Sequence, residues 1–474
     1  MDFDGLRSSR ESGSPIYLQL YRRFREAIEA GQLLPGDRVP AVRSLASELN
    51  IARGTVETAY QMLVSEGYFV ARGAAGTVVS PRLGTLTESG HARAAVPVLS
   101  LSPRPLTVTG DDVPFKLGLP ALDAFPRKTW ARLAGRSVRA LETAAMIAPD
   151  PAGYEPLRRA IATYLGISRG IVCSHEQVFV TTGYRGALEL VYRTLLKSGD
   201  IGWYEEPGYI FARQCLQHLG LRLMPVTVDH EGLSVAVGKR RADQARFVVV
   251  TPTHQSPMGM ALSLPRRLEL LDWANRRRAW IIEDDYDSEF RYHGRPLPAL
   301  KSLDRDGRVL YTGTFSKVLF PGLRLAYVVV PVSQVERFRE RVEHMPGPGS
   351  ILPQAMVADF IEQGHFARHL RRMRSLYAER RAYMVDALEH TLGDGVHVEP
   401  QAGGIQVLAH LRHAQDDKRI ASEAEAQGLA VQALSQWCMR KSSLSGLIMG
   451  FANFADADEA MAAVRQLGAV LAAR

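Results

Sequence analysis

The stretch Tyr311-Thr312-Gly313-Thr314-Phe315-Ser316-Lys317 ends in small hydroxyl residues and a single lysine, and the acidic run Glu283-Asp284-Asp285-Tyr286-Asp287 lies upstream of it. A lysine amine condenses with an aldehyde to form a Schiff base. A carboxylate can keep a pyridine nitrogen protonated, so that the ring draws electrons away from a bond beside it. Lys317 and Asp284 are therefore candidates for the two groups that pyridoxal phosphate requires.

Such groups need a scaffold that brings distant residues together. Seven apolar runs read as strands: Val178–Thr181, Ile201–Tyr204, Arg222–Pro225, Phe247–Thr251, Trp280–Glu283, Val309–Thr312 and Leu325–Val330. Helical stretches separate them, which predicts an α/β domain with a mainly parallel sheet covered on both faces. Ligands of such sheets bind at the carboxyl ends of the strands. Thr181-Thr182-Gly183-Tyr184-Arg185-Gly186-Ala187 opens a helix straight after a strand, where free N–H groups and the helix dipole suit a phosphate. Tyr209 follows another strand and offers a ring for stacking on a flat cofactor. Arg324 lies within reach of the same phosphate.

The N-terminal region follows a different pattern. Ile16, Leu20, Phe24 and Ile28 recur every fourth residue, so Pro15–Glu29 reads as an amphipathic helix. Gly31 and Pro35-Gly36 stop it. Two further helices, Val42–Leu49 and Gly54–Gly67, precede strands Tyr68–Ala71 and Thr77–Val79, which flank Gly73-Ala74-Ala75-Gly76. Two short helices on a tight turn and a small hairpin make a winged helix-turn-helix. The second helix of such a pair enters the major groove with its first residues at base edges and phosphates. Arg53, Thr55 and Thr58 hold that position, and Arg43 opens the preceding helix.

The overall charge is +8, yet residues 1–80 hold nine Arg against nine Asp plus Glu and no Lys. A DNA-binding face must therefore come from uneven placement of charge. From Pro81 to Asp112 the chain is rich in Pro, Gly, Ser, Thr and Ala, which predicts a linker between domains at 1–80 and 113–474. A chain of 474 residues has room for two or three domains. The start, Met1-Asp2-Phe3-Asp4, is acidic and lacks an apolar segment, and no stretch is long enough for a membrane span. Cys173, Cys215 and Cys438 are scattered without a C-x-x-C, which argues against disulfide frameworks and zinc and for a reducing cytoplasm.

Leu34-Pro35-Gly36-Asp37-Arg38-Val39-Pro40, Arg43-x-Leu45-Ala46-x-x-Leu49, Arg53-x-Thr55-Val56-x-x-Ala59-Tyr60-x-x-Leu63 and Glu66-Gly67-Tyr68 closely resemble the GntR winged-helix family over about residues 14–80. Ala41 and Ala52 stand where that family usually has serines, and Gly54 where Asn is often found. The resemblance implies DNA contacts from Arg43, Arg53 and Thr55, with Gly76 at the wing tip. The order of motifs in the C-terminal domain resembles fold-type-I pyridoxal phosphate enzymes, the aminotransferases. That likeness implies Tyr184 and Arg185 on the phosphate through their backbone, Tyr209 stacked on the ring and Asp284 on its nitrogen. It further implies Tyr286 on the ring hydroxyl, Lys317 as the Schiff-base lysine, and Thr314, Ser316 and Arg324 on the phosphate. Glu283–Tyr292, Gly313–Lys317 with Pro321–Arg324, Thr251-Pro252-x-His254-Gln255 and His369-x-Arg371-Arg372-Met373-Arg374 together resemble the MocR subfamily of GntR regulators.

The resemblance implies a regulator that senses a small amine, an amino acid or the cofactor itself, as a head-to-tail homodimer on a double-stranded operator. A working aminotransferase with an accessory DNA-binding head is the alternative. A domain of this fold that no longer binds the cofactor is a third. Turnover needs a grip on the substrate carboxylate. The comparable enzymes use an Arg where this chain has Ile448, leaving Arg440 or Gln436 as substitutes, and Ser256 replaces their usual Asn.

Overall fold

The computed structural model describes residues 15–81, 113–143, 147–292, 297–399, 401–412, 416–441 and 444–472. Beyond Pro81 the expected linker lies outside the described residues. The chain divides into two units on either side of Pro105–Leu106.

The first unit contains helices α1 (Ile16–Glu29), α2 (Val42–Glu48) and α3 (Arg53–Ser65), then strands β1 (Phe69–Ala71) and β2 (Thr77–Val79). The four-residue spacing in α1 buries Leu20 and Phe24, while Ile16 at its start stays exposed. Phe24, Tyr60 and Phe69 meet edge to face, with ring centroids 5.3–5.6 Å apart, and so join α1, α3 and the hairpin. The buried Tyr60 hydroxyl donates to the Pro40 carbonyl at 2.9 Å. β1 and β2 pair antiparallel with Phe69 opposite Val79. Gly76 closes the turn between them with a φ of +90°, a conformation that favours glycine. Arg38 holds this wing by donating from Nε to the Ala75 carbonyl at 3.1 Å.

The second unit is built on an eight-stranded sheet. Its strands are β3 (Val178–Thr181), β4 (Ile201–Glu206), β5 (Arg222–Asp229), β6 (Gly232–Leu233), β7 (Phe247–Val250), β8 (Trp280–Asp285), β9 (Val309–Thr314) and β10 (Ala326–Val329), in the order β3-β10-β9-β8-β7-β4-β5-β6. All seven expected runs form strands. β5-β4-β7-β8-β9 are parallel, whereas β10 runs antiparallel to both β3 and β9. Residues 315–325 are too few for the helical crossover that a parallel neighbour needs, so the chain turns back. β3, β7, β8 and β10 are buried along their whole length, as continuous apolar runs between two helical layers should be.

A smaller antiparallel sheet follows, with strands β11 (Val396–Val398), β12 (Gln406–Leu411), β13 (Gln432–Ala433) and β14 (Gly446–Gly450) in the order β11-β12-β14-β13. The 28-residue helix His365–Leu392 leads into it.

Helices α2 and α3 start from Ala41 and Ala52, both extended and neither capping the helix with a side chain. A serine at either position would accept a free N–H of the first turn. Ala52→Ser is therefore expected to stabilise α3 by about 1 kcal/mol. Hydrogen exchange in the full-length chain reads this as slower exchange across the α3 amides. Unchanged exchange would show that the first turn is already satisfied.

Candidate functional site

Strand alternation sorts the acidic run at the end of β8. Glu283 turns away from the cavity and accepts the backbone N–H groups of Leu300 and Lys301 at 2.7 and 2.8 Å. Asp285 forms a buried ion pair with Arg169 at 2.6 Å and accepts the Tyr311 hydroxyl at 2.7 Å. Asp284, between them, lines a cavity of about 900 Å³. Burial pushes its carboxyl up to about 8; the Tyr184 hydroxyl draws it back somewhat, while Asp285, Glu205 and Asp287 push it further. The Tyr184 hydroxyl is close but makes no hydrogen bond of ordinary geometry. Among the described residues Asp284 forms no salt bridge, and its attraction to Lys317 leaves it raised.

Lys317 stands three residues beyond β9 in the turn toward β10 and lines the same cavity. Its Nζ donates to the Gly118 carbonyl at 2.9 Å. Burial lowers its pKa, against the opposing pull of Asp287 and Asp284, which favours the neutral amine that attacks a carbonyl. Gly118 has a φ of +76°, and a Cβ there would overlap Lys317 Nζ. His369, buried in the long helix, donates from Nε2 to the carbonyl of Val318 at 2.9 Å and so pins the lysine turn. Burial lowers this imidazole and keeps it neutral.

The far end of the cavity suits an anion. Gly183, with a φ of +80°, begins the helix Tyr184–Leu195 without a side-chain cap. A Cβ at Gly183 would stand 3.8 Å from Cζ of Arg324, which places that guanidinium beside the helix N-terminus. The reversal of β10 is what brings Arg324 to this edge. Arg324 itself adopts a left-handed φ of +51°, a strained conformation for a long side chain.

Tyr184, Arg185, Tyr209, Asp284, Tyr286, Thr314, Ser316, Lys317 and Arg324 all line this one cavity. Tyr209 sits among Phe211, Trp437 and Tyr184, with centroids 5.6, 5.8 and 6.4 Å away. The Tyr286 hydroxyl lies 3.1 Å from His254 Nδ1, which is also 3.0 Å from Asp287. Gln436 and Ser256 line the cavity, whereas Arg440 does not; its backbone N–H instead bonds to Glu206 at 2.8 Å. Ile448 is fully buried in β14.

Gly118, His369, His254 and Trp437 had no assigned role in the sequence. His369 and His254 fell inside quoted motifs, which was the available signal. Gly118 and Trp437 carried none, because their value depends on which residue they meet.

In the first unit, Arg43 and Arg53 are exposed and Thr55 is half-buried at the start of α3. Thr58 turns its hydroxyl back to the Gly54 carbonyl at 2.8 Å and is engaged within the helix.

A carboxyl held up to about 8 inside the fold loses its proton earlier in the unfolded chain, so it makes stability fall as pH rises. Cofactor-free protein should therefore lose stability between about pH 5 and pH 8, and Asp284→Asn should show a shallower loss. Urea midpoints across that range test this; equal slopes in both proteins would contradict the buried, unpaired state of Asp284.

Residues 16–79 match the bacterial regulatory proteins of the gntR family, and residues 123–444 match aminotransferase class I and II. The chain is 39% identical to the probable rhizopine catabolism regulatory protein MocR of Rhizobium meliloti, across 94% of this chain and 91% of that one. It is 33% identical to the HTH-type pyridoxine biosynthesis transcriptional regulator PdxR of Corynebacterium glutamicum, across 92% of each. Among solved structures, the kynurenine aminotransferase of Pyrococcus horikoshii in complex with PMP superposes with a TM-score of 0.70 at 26% identity, covering 77% of this chain and 91% of that one. With both matches on a single chain, this protein belongs to the MocR-type GntR transcriptional regulators, in which a winged helix is fused to an aminotransferase-like domain.

Proposed function

We propose that this regulator reads a small amine at Lys317 and relays the result to its DNA-binding helices. One observation carries the reading: a single cavity gathers a buried amine, a buried carboxyl that burial pushes up to about 8, and a guanidinium over a helix N-terminus. The domain's cofactor is pyridoxal phosphate, and the residues fit it. Asp284 would hold the ring nitrogen, Tyr209 the ring face and Tyr286 the ring hydroxyl. Arg324, Thr314, Ser316 and the backbone of Tyr184 and Arg185 would hold the phosphate. When bound, the cofactor supplies an electrophilic carbon and an electron-withdrawing ring.

The chain's own residues do the rest. Gly118 aims the Lys317 amine, and His369 steadies the turn that carries it. Tyr209 and Trp437 close one wall around the ring. An incoming amine competes with Lys317, and the freed lysine is then available to hold or return a proton. In this reading the C-terminal subdomain, about residues 335–474, shifts in response. Coupling to DNA requires different affinities in the two arrangements, typically ~1–3 kcal/mol.

The protein binds DNA through its GntR domain. We assign Arg43, Arg53, Thr55 and the wing at Gly76 to that contact. Both arginines project from helix starts and make no ion pair among the described residues. A head-to-tail homodimer would present two such modules to two half-sites. Cys173, Cys215 and Cys438 form no disulfide, which fits a reducing cytoplasm. Among the described residues, no helix is long and apolar enough to cross a membrane. Regulation is favoured over turnover because Ile448 gives the substrate carboxylate no fork to bind.

Lys317→Ala should abolish the visible absorbance band of the lysine-bound cofactor and the response of DNA affinity to amines, while DNA binding itself persists. A mutant that still responds would remove Lys317 from the sensing step. Gly118→Ala should weaken cofactor retention by about 1–3 kcal/mol, since the new methyl group strains the backbone and crowds the amine. Wild-type retention on dialysis would show that Lys317 does not depend on Gly118. Arg53→Ala should cost ~1–3 kcal/mol in operator affinity at fixed salt. A loss near zero would exclude it from the contact.

A further inference from the structure

A second cavity, of about 310 Å³, is distinct from the one around Lys317. Its walls are the loop after β7, the residues that follow β8, and the segment ahead of β12. His254 lines it. Nδ1 of that imidazole is 3.0 Å from both Asp287 oxygens and 3.1 Å from the Tyr286 hydroxyl, and Tyr286 belongs to the larger cavity. One histidine thus touches the linings of both spaces.

Among the described residues, His254 Nε2, Ser288 Oγ, Arg291 Nε and Gln401 Oε1, all buried polar atoms of residues lining this cavity, lack a hydrogen-bond partner of ordinary geometry. His254 and Gln401 influence one another, so Ser288 Oγ and Arg291 Nε are the two that call for an occupant; leaving a buried polar atom unpaired costs roughly 1–3 kcal/mol. Arg291 makes no ion pair among the described residues, although it is half-buried. The chain is drawn tightly around the imidazole, since a Cβ at Gly404 would overlap its ring.

The chemistry of the donors specifies the occupant. Arg291 Nε donates, and the Ser288 hydroxyl can donate. Burial and the Arg291 charge lower His254, but the Asp287 carboxylate and the Gln401 amide raise it by more, and when the imidazole is protonated its Nε2 is a third donor. Gln401 is near enough for that influence without reaching hydrogen-bond geometry. A guanidinium and a hydroxyl, joined by a protonatable imidazole, suit a compact acceptor with negative charge. Asp287 is already engaged by the imidazole, and Glu399 at the cavity edge is exposed, where solvent screens it.

We propose that this cavity binds a small oxyanion, a phosphate or a carboxylate, through Arg291, Ser288 and His254, separately from the anion end formed by Gly183 and Arg324. Full-length, cofactor-loaded protein, whose other anion position is filled by the cofactor, would be titrated by calorimetry with inorganic phosphate and with acetate. Saturable binding of one ion per chain is expected, weakened about tenfold or more by Arg291→Gln and by Ser288→Ala. The cofactor's visible band should be unchanged in both variants, which separates loss of this site from misfolding or loss of the cofactor. Competition between the two ions then assigns the ligand as phosphate or carboxylate. Heats that fail to saturate with either ion, or that match in wild type and Arg291→Gln, would overturn the site.

Discussion

Burial disfavours a negative charge on Asp284 more strongly than its surroundings favour one. Taking a carboxylate out of water is costly, the Tyr184 hydroxyl offsets only part of that cost, and three further neighbours are acidic. The flanking acids show the contrast. Asp285 has a guanidinium, and Glu283 has two backbone N–H groups. The protein thus gives two acids internal partners, although burial still pushes Glu283 up to about 7, and leaves Asp284 facing the cavity. The cavity, the position of Lys317 and the anion-binding end all make sense as parts of a mould around one molecule that carries both a ring nitrogen and a phosphate.

The parallel sheet converts distance along the chain into proximity. Residues at the ends of β3, β4, β8 and β9 share an edge because those strands point the same way. β10 points the other way, so its beginning lies at that edge too. One polarity rule therefore places Gly183, Tyr209, Asp284, Lys317 and Arg324 around one space. In the other unit, Phe24, Tyr60 and Phe69 lock three elements together, while Arg43 and Arg53 at the starts of α2 and α3 stay exposed.

Much of this was legible in the residues themselves. The continuous apolar runs marked the sheet strands, and the Lys317–Asp284 pairing marked the cofactor. The antiparallel run of β10 was encoded in the short 315–325 connection, a matter of loop length and not of residue type. The different fates of Glu283, Asp284 and Asp285 follow from period-two alternation, but choosing which face meets the cavity required the packed sheet. Gly118 could not be recognised in advance. Its importance comes from a lysine 199 positions away in the chain, and a glycine's missing side chain says nothing about what would have collided with it. Of the two residues considered for the substrate carboxylate, Gln436 lines the cavity, whereas Arg440 sits in a loop whose backbone is held by Glu206.

The long helix His365–Leu392 has a mechanical consequence. Near its start, His369 grips the lysine turn at Val318. Farther along, the Tyr377 hydroxyl accepts the Ala121 N–H at 2.9 Å, and Arg380 pairs with Asp123 at 2.6 Å, just beyond Gly118. Both jaws that hold the Lys317 amine are therefore bolted to the same rod, which at 28 residues is about 42 Å long. The rod also packs against β11 and the helix Ala457–Ala472. Any change in the spacing of the jaws must therefore be accommodated by this rod, whose far end rests on the small C-terminal sheet.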